Sequence, residues 1–145
     1  MTTIAFDGKT MACDTRVTGD HVYNTDTKIY ESKAYVIGVA GDAGVGTMLI
    51  DCPYILQARH YDFDFEALVF AKDTEKVYKV AFYKSWDCAL SSVTPVADGF
   101  AAVGSGAPYA LAAMYLGNTA TRAITVAEQF DTNTGGKIIT KQLLG

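Results

Sequence analysis

The chain has 145 residues, half of them hydrophobic and 19% charged, with a formal net charge of −4. That fits one soluble globular domain over 1–145, large enough to bury a core. The acidic balance without a Lys/Arg run argues against a nucleic-acid partner, and neither a membrane-length apolar run nor a signal peptide is present.

Met1 precedes a small residue, the setting in which an initiator methionine is trimmed. Trimming would leave Thr2 with a free α-amine beside its own hydroxyl. Such an amine has an unperturbed pKa of about 7.7–8.0, so one residue could supply both nucleophile and base. The plain alternative is that Thr2 and Thr3 merely start an edge strand.

Thr2–Phe6 and Met11–Val17 read as two strands of a hairpin around Asp7-Gly8-Lys9-Thr10. A turn centred on Asp7-Gly8 would set Asp14 opposite Met1, and one centred on Gly8-Lys9 would set it opposite Thr3. Either register brings Asp14 close to Thr2. Thr18–Thr25 reads as a polar turn, Thr27–Tyr30 as a short strand, and Ala34–Ala40 as a strand buried on both faces. Gly41-Asp42-Ala43-Gly44 ends it. Asp42 is the expected cap of a helical segment from near Ala43 to about His60, kinked or split at Pro53.

Tyr61–Glu66 alternates aromatic and acidic residues, which places the acids together on a solvent face rather than around a metal. Ala67–Ala71 and Lys76–Tyr83 read as strands joined by a tight turn, and Trp86–Pro95 as a short strand and a loop. Gly99–Val103 is another buried strand, followed by a helix over Ala107–Leu116 and a second from Thr119 or Thr121 to about Phe130. Lys137–Leu143 closes the chain as a strand. Gly104-Ser105-Gly106 lacks the spacing of a nucleotide-binding loop. Cys13, Cys52 and Cys88 are odd in number and widely spaced, which suits thiols in a reducing, cytoplasmic compartment. His21 and His60 are too isolated for a histidine-based triad.

Six stretches in this order resemble the N-terminal-nucleophile hydrolases of the proteasome β-subunit and HslV peptidase family. They are Thr2-Thr3-Ile4, Ala12–Arg16, Thr27–Tyr30, Ile37–Ala43, Ala102–Ala110 and Asp131–Gly136. The resemblance covers the two flanks well and the middle poorly. It implies an α+β fold, a four-layer αββα sandwich of two stacked, mainly antiparallel sheets flanked by helices. The helical layer after Gly41 is shortened, because only one helical segment precedes Ala67. Such compactness would suit a phage-encoded version.

The resemblance further implies a threonine peptidase that needs no cofactor or metal. Thr2 is the nucleophile, Lys28 the activating cation, Asp14 its partner, and Ser105 and Asp131 tune the amine. Gly41 N–H is the oxyanion donor, and Arg16, Thr134 and Gly135 support the site. The implied substrates are peptides or unfolded proteins, met inside a homo-oligomeric ring that could take an ATP-dependent unfoldase as partner. A catalytically silent scaffold subunit and an amidohydrolase of small amides are the alternatives. Taken singly, Lys28 reads as a solvated strand lysine and Gly41 as a packing glycine; together with the other motifs they read as site residues.

Overall fold

A computed structural model describes residues 2–19, 21–41, 44–52, 54–57, 61–84, 89–97 and 99–145. The fold is α+β. One four-stranded antiparallel sheet has the order β10-β1-β2-β11, made from Ala101–Gly104, Thr3–Phe6, Thr10–Cys13 and Ile139–Gln142. A five-stranded antiparallel sheet runs β5 to β9 in chain order, from Ile29–Glu31, Tyr35–Gly41, Phe65–Ala71, Lys76–Lys84 and Ala89–Pro95. β3 (Arg16–Thr18) and β4 (Val22–Asn24) form a separate hairpin.

The two large sheets stack through their apolar faces. Ile4, Phe6, Met11 and Cys13 meet Val36, Ala40, Leu68 and Phe70 in one cluster. Gly38 lets the sheets approach closely, since a Cβ there would sit 2.5 Å from Ile4 Cγ2. The alternation of side chains along β1 and β2 sends Ala5 and Ala12 to the other face. There they pack with Ala110, Ala113, Ala123 and Ile124 of α2 (Ala107–Tyr115) and α3 (Ala120–Phe130). Small residues on both sides let the helices lie close to the sheet. Fully burying a Leu, Ile or Phe side chain is worth about 1.5–3 kcal/mol, and Ile4, Leu68, Phe65 and Phe82 are all fully buried.

The outer face of the second sheet is covered more thinly. Val45 and Leu49 of α1 (Val45–Leu49), with Ile55 and Tyr61, close over Ile37, Val39, Val69 and Val80. Among the described residues, the expected long helical segment shows a helix of five residues followed by turns, less helix than the sequence suggests. Asp42, Ala43, Pro53 and His60 lie outside the described residues, as do Trp86–Cys88. Two further expectations need correcting. Met11–Val17 is not one strand but breaks at Asp14-Thr15, and the polar turn Thr18–Thr25 contains β4. The Tyr61–Glu66 alternation behaves as expected. Tyr61 and Phe65 are buried with ring centroids 5.0 Å apart, while Asp62 and Asp64 are exposed.

The hairpin register is the one centred on Gly8-Lys9, with Ile4 opposite Cys13 and Phe6 opposite Met11. Gly8 takes a positive φ of 100°, which a glycine adopts without strain. Asp7 pins this turn to the helical layer. Its Oδ2 accepts Ala120 N–H at 2.9 Å, and its Oδ1 accepts Lys9 and Thr10 N–H. Thr119 caps α3 by accepting Arg122 N–H at 3.2 Å.

Candidate active site

The register puts Asp14 opposite Thr3, and the backbones bond there, Asp14 N–H to Thr3 O at 3.3 Å. The Asp14 carboxylate is fully buried. Its Oδ1 accepts Thr3 N–H at 3.2 Å and its Oδ2 accepts Gly135 N–H at 3.0 Å. Lys28 completes the set, its Nζ donating to Asp14 Oδ1 at 2.9 Å. Lys28 sits just before β5, fixed because its carbonyl accepts Val39 N–H of β6 at 3.0 Å.

An ammonium has three protons to give, and Lys28 uses all three. Besides Asp14, its Nζ donates to Thr2 Oγ1 and to the Arg16 carbonyl. At 8% exposure it is buried, and burial pushes its pKa below the ordinary lysine value while Asp14 pulls back. Burial likewise raises the Asp14 carboxyl, against the pull of Lys28 and the two backbone amides. Taking two charges out of water costs several kcal/mol per ion, so this pair persists only because every donor and acceptor is satisfied.

A second group reaches Thr2 from the other side. Gly104 ends β10 with φ 97°, and a Cβ there would collide with the Thr2 carbonyl oxygen. Only glycine allows that approach. The Thr2 carbonyl accepts Gly106 N–H at 3.4 Å, and Ser105 Oγ lies 3.4 Å from the same oxygen. Ser105 gives its one hydroxyl proton to Asp131 Oδ2 at 2.6 Å, and Thr134 Oγ1 donates to the same oxygen at 2.6 Å. Thr134 Oγ1 lies 2.7 Å from Thr3 Oγ1, so the hydroxyl chain runs back to the first strand. Asp131 caps the end of α3 and accepts Asn133 N–H. Burial raises its pKa, but the Ser105, Thr134 and Asn133 hydrogen bonds outweigh it and hold the carboxyl below its ordinary value.

The loop Asp131–Gly136 carries this second group and is locked to the β2–β3 junction. Gly135 O accepts both Thr15 and Arg16 N–H, and Arg16 Nη1 donates to Thr132 O at 2.9 Å. The guanidinium occupies the space that a Cβ at Gly135 would need. Arg16 and Gly135 therefore fit each other.

Thr2, Arg16 and Lys28 open onto a cavity of about 400 Å³. Its walls come from the β3–β4 hairpin (Thr18, His21, Tyr23) and from Tyr30, Val39 and Gly41. Gly41 ends β6 at this cavity, where a Cβ would come within 3.1 Å of Asp64 O, a tight fit that glycine avoids. Thr2, Asp14, Lys28, Ser105, Asp131, Arg16, Thr134 and Gly135 thus form one connected hydrogen-bonded group, with Gly41 on the same cavity. Three positions that hold the group were not picked out from the sequence: Thr3, Gly104 and Gly106. A signal existed for Gly104, because a glycine ending a buried strand marks a close backbone approach. Among the described residues, no three His, Cys, Asp or Glu side chains gather as metal ligands, and no helix is long and apolar enough to cross a membrane. Cys13 faces the core, where burial pushes its thiol up to about 11.

The sequence matches no protein-family model and no curated protein. The fold is similar to that of Thiobacillus denitrificans BPH, solved in complex with epoxomicin. The TM-score is 0.71 at 20% identity, over 100% of both chains. At that identity the likeness is one of fold.

Proposed function

We propose that this protein is a threonine peptidase of the N-terminal-nucleophile type, with Thr2 exposed as the first residue by removal of Met1. One observation carries the reading: a buried ammonium, Lys28, donates to the Thr2 hydroxyl while a fully buried carboxylate holds it. A scaffold has no physical need to bury that pair beside that hydroxyl. The likeness in fold to a protein that binds epoxomicin, an inhibitor of threonine proteases, supports the same chemistry.

Thr2 Oγ attacks the peptide carbonyl and its proton passes to the α-amine of Thr2. Lys28 lowers the cost of negative charge on Oγ, and Gly41 N–H receives the oxyanion. The protonated α-amine then gives its proton to the departing amine, leaving an ester on Thr2. Water hydrolyses that ester with the same amine as base. Ser105, Asp131 and Thr134 hold and tune the amine. Peptides or unfolded proteins are the substrates, and the enzyme works as a homo-oligomer in the cytoplasm.

The test is intact-mass analysis of the purified protein, followed by labelling with a peptide epoxyketone. Loss of Met1 and a single adduct that disappears in Thr2→Ala are expected. Retained Met1, or no Thr2-dependent adduct on processed protein, would favour the scaffold. An adduct without turnover of any peptide, but with turnover of small amides, would favour an amidohydrolase.

A further inference from the structure

We propose that Glu31 is a positioning residue: by pairing with Lys141 of the opposite sheet it fixes β5 and so sets Lys28 against Thr2 and Asp14.

Among the described residues, two ion pairs join one large sheet to the other. One is Lys28–Asp14 in the site, and the other is Lys141–Glu31, with Nζ 2.7 Å from Oε1. Both lie on one seam. β5 and β11 are terminal strands of different sheets, so no backbone ladder joins them. Ile29 of β5 and Ile139 of β11 pack against the core cluster between the sheets. Side chains two apart on a strand share a face, so Glu31 and Lys141 leave their strands on that same side. Lys28 directly precedes Ile29, and Ile139 lies opposite Cys13, the neighbour of Asp14. The seam therefore has a buried ion pair at one end, apolar packing in the middle and an exposed ion pair at the other.

Glu31 is held from both sheets. Its Oε2 accepts Lys72 Nζ at 2.7 Å, from the turn after β7 in its own sheet. Hydrogen bonds from Lys141 and then Lys72 pull its carboxyl down to about 2, so it is ionised throughout the neutral range. An exposed pair adds little to stability. Placement is more sensitive. Lys28 spends its protons on Thr2, Asp14 and the Arg16 carbonyl, and a misplacement of about 1 Å can slow a reaction a hundredfold. β5 is three residues long and laddered to β6 alone, so the seam is what fixes its outer side. The plain alternative is that these inward charges only guard two sheet edges against pairing with another chain.

Lys141→Gln and Lys72→Gln each remove one exposed 2.7 Å pair from Glu31, and urea unfolding should show similar small losses. Only Lys141→Gln opens the seam. In about 0.05 M NaCl, epoxyketone labelling of Thr2 should slow about threefold in Lys141→Gln and keep its wild-type rate in Lys72→Gln. Lys141→Arg keeps the charge and should recover the rate. In about 1 M NaCl, wild type and Lys141→Gln should converge, because salt screens exposed pairs. The carboxyl carbon of Asp14, read by NMR, should shift in Lys141→Gln and not in Lys72→Gln. Equal labelling rates in the two glutamine variants, or an Asp14 signal that behaves alike in both, would overturn the proposal. The effect on labelling rests on the threonine-nucleophile reading, and the Asp14 signal does not. A wild type that no epoxyketone labels would strike that reading, and the NMR comparison would still decide this one.

Discussion

The two flanks of Thr2 are built from the same residue type used in opposite ways. On one side Asp14 lies fully buried among backbone amides, raised by burial and bound to a charged Lys28. On the other, Asp131 sits at a helix end and accepts from two hydroxyls and an amide. Burial is outweighed there, and the carboxyl falls below its ordinary value. The first flank supplies charge next to the Thr2 hydroxyl. The second supplies oriented hydroxyls next to the Thr2 backbone. A buried charge cannot be relaxed by water, so the first flank tolerates little change, while the second can lose one hydrogen bond and keep its shape.

Breaking the charged flank should give the largest effect. Lys28→Met leaves Asp14 buried without its cation and should cost about 3–5 kcal/mol of stability. Epoxyketone labelling of the processed protein should slow about a thousandfold, the loss seen when one electrostatic stabiliser is removed. Lys28→Met/Asp14→Asn separates the two losses. The side-chain amide at position 14 keeps an acceptor for backbone N–H but carries no charge, so urea unfolding should recover most of the stability. Labelling should stay as slow as in the single variant. If labelling returned with stability, Lys28 would be a structural residue alone.

Asp131→Asn tests the other flank and should do less. It removes a charged acceptor shared by Ser105 and Thr134, worth about 1.5–3 kcal/mol, and labelling should slow about tenfold. Its pH dependence has a definite sign. The folded pKa of Asp131 lies below its ordinary value of 3.8. Its stabilisation is therefore complete above that value and is lost as pH falls through the folded pKa. The stability gap between wild type and Asp131→Asn should shrink on acidification from about pH 5 to about pH 3 and below. Asp14 is raised, so its contribution has the opposite slope, present in acid and lost as pH rises through its folded pKa. Urea titrations across that range check both slopes.

The sequence made the partners of Thr2 legible but not how they are held. Glycine signals at Gly8 and Gly41 mark a turn and a close approach that local chemistry is enough to read, whereas Gly135 was reached only through the family resemblance. The hairpin register was open between two turns, because both keep Asp14 near Thr2 and only the stacked core chooses. Ile4 and Met11 both face Gly38, and since the two registers differ by two residues and keep the same faces inward, only how these side chains seat against Gly38 tells them apart. The burial of Lys28 could not be read from Thr27–Tyr30, since it depends on Arg16 and Thr2 arriving from elsewhere in the chain. The β3–β4 hairpin escaped notice because Val22 and Tyr23 are exposed and leave no buried alternation. The α1 region misled for the opposite reason. Its apolar residues are spaced like a helix, but Ile55 reaches the sheet from a turn.

Position 134 gives the finest cut between the flanks, because its hydroxyl joins Asp131 to Thr3. Thr134→Ser keeps the oxygen and removes one buried methyl, a loss of about 0.8 kcal/mol with labelling unchanged. Thr134→Val keeps the shape and removes the oxygen. Thr3 Oγ1, on a fully buried residue, then loses that partner, and Asp131 keeps Ser105 and Asn133 as its remaining donors. That should cost about 1–3 kcal/mol. If the second flank acts through its hydroxyl chain, Thr134→Val should slow labelling and Thr134→Ser should not, whatever their stabilities. Equal labelling rates in both variants would mean that Thr134 only fills space, and that Ser105 alone links Asp131 to Thr2.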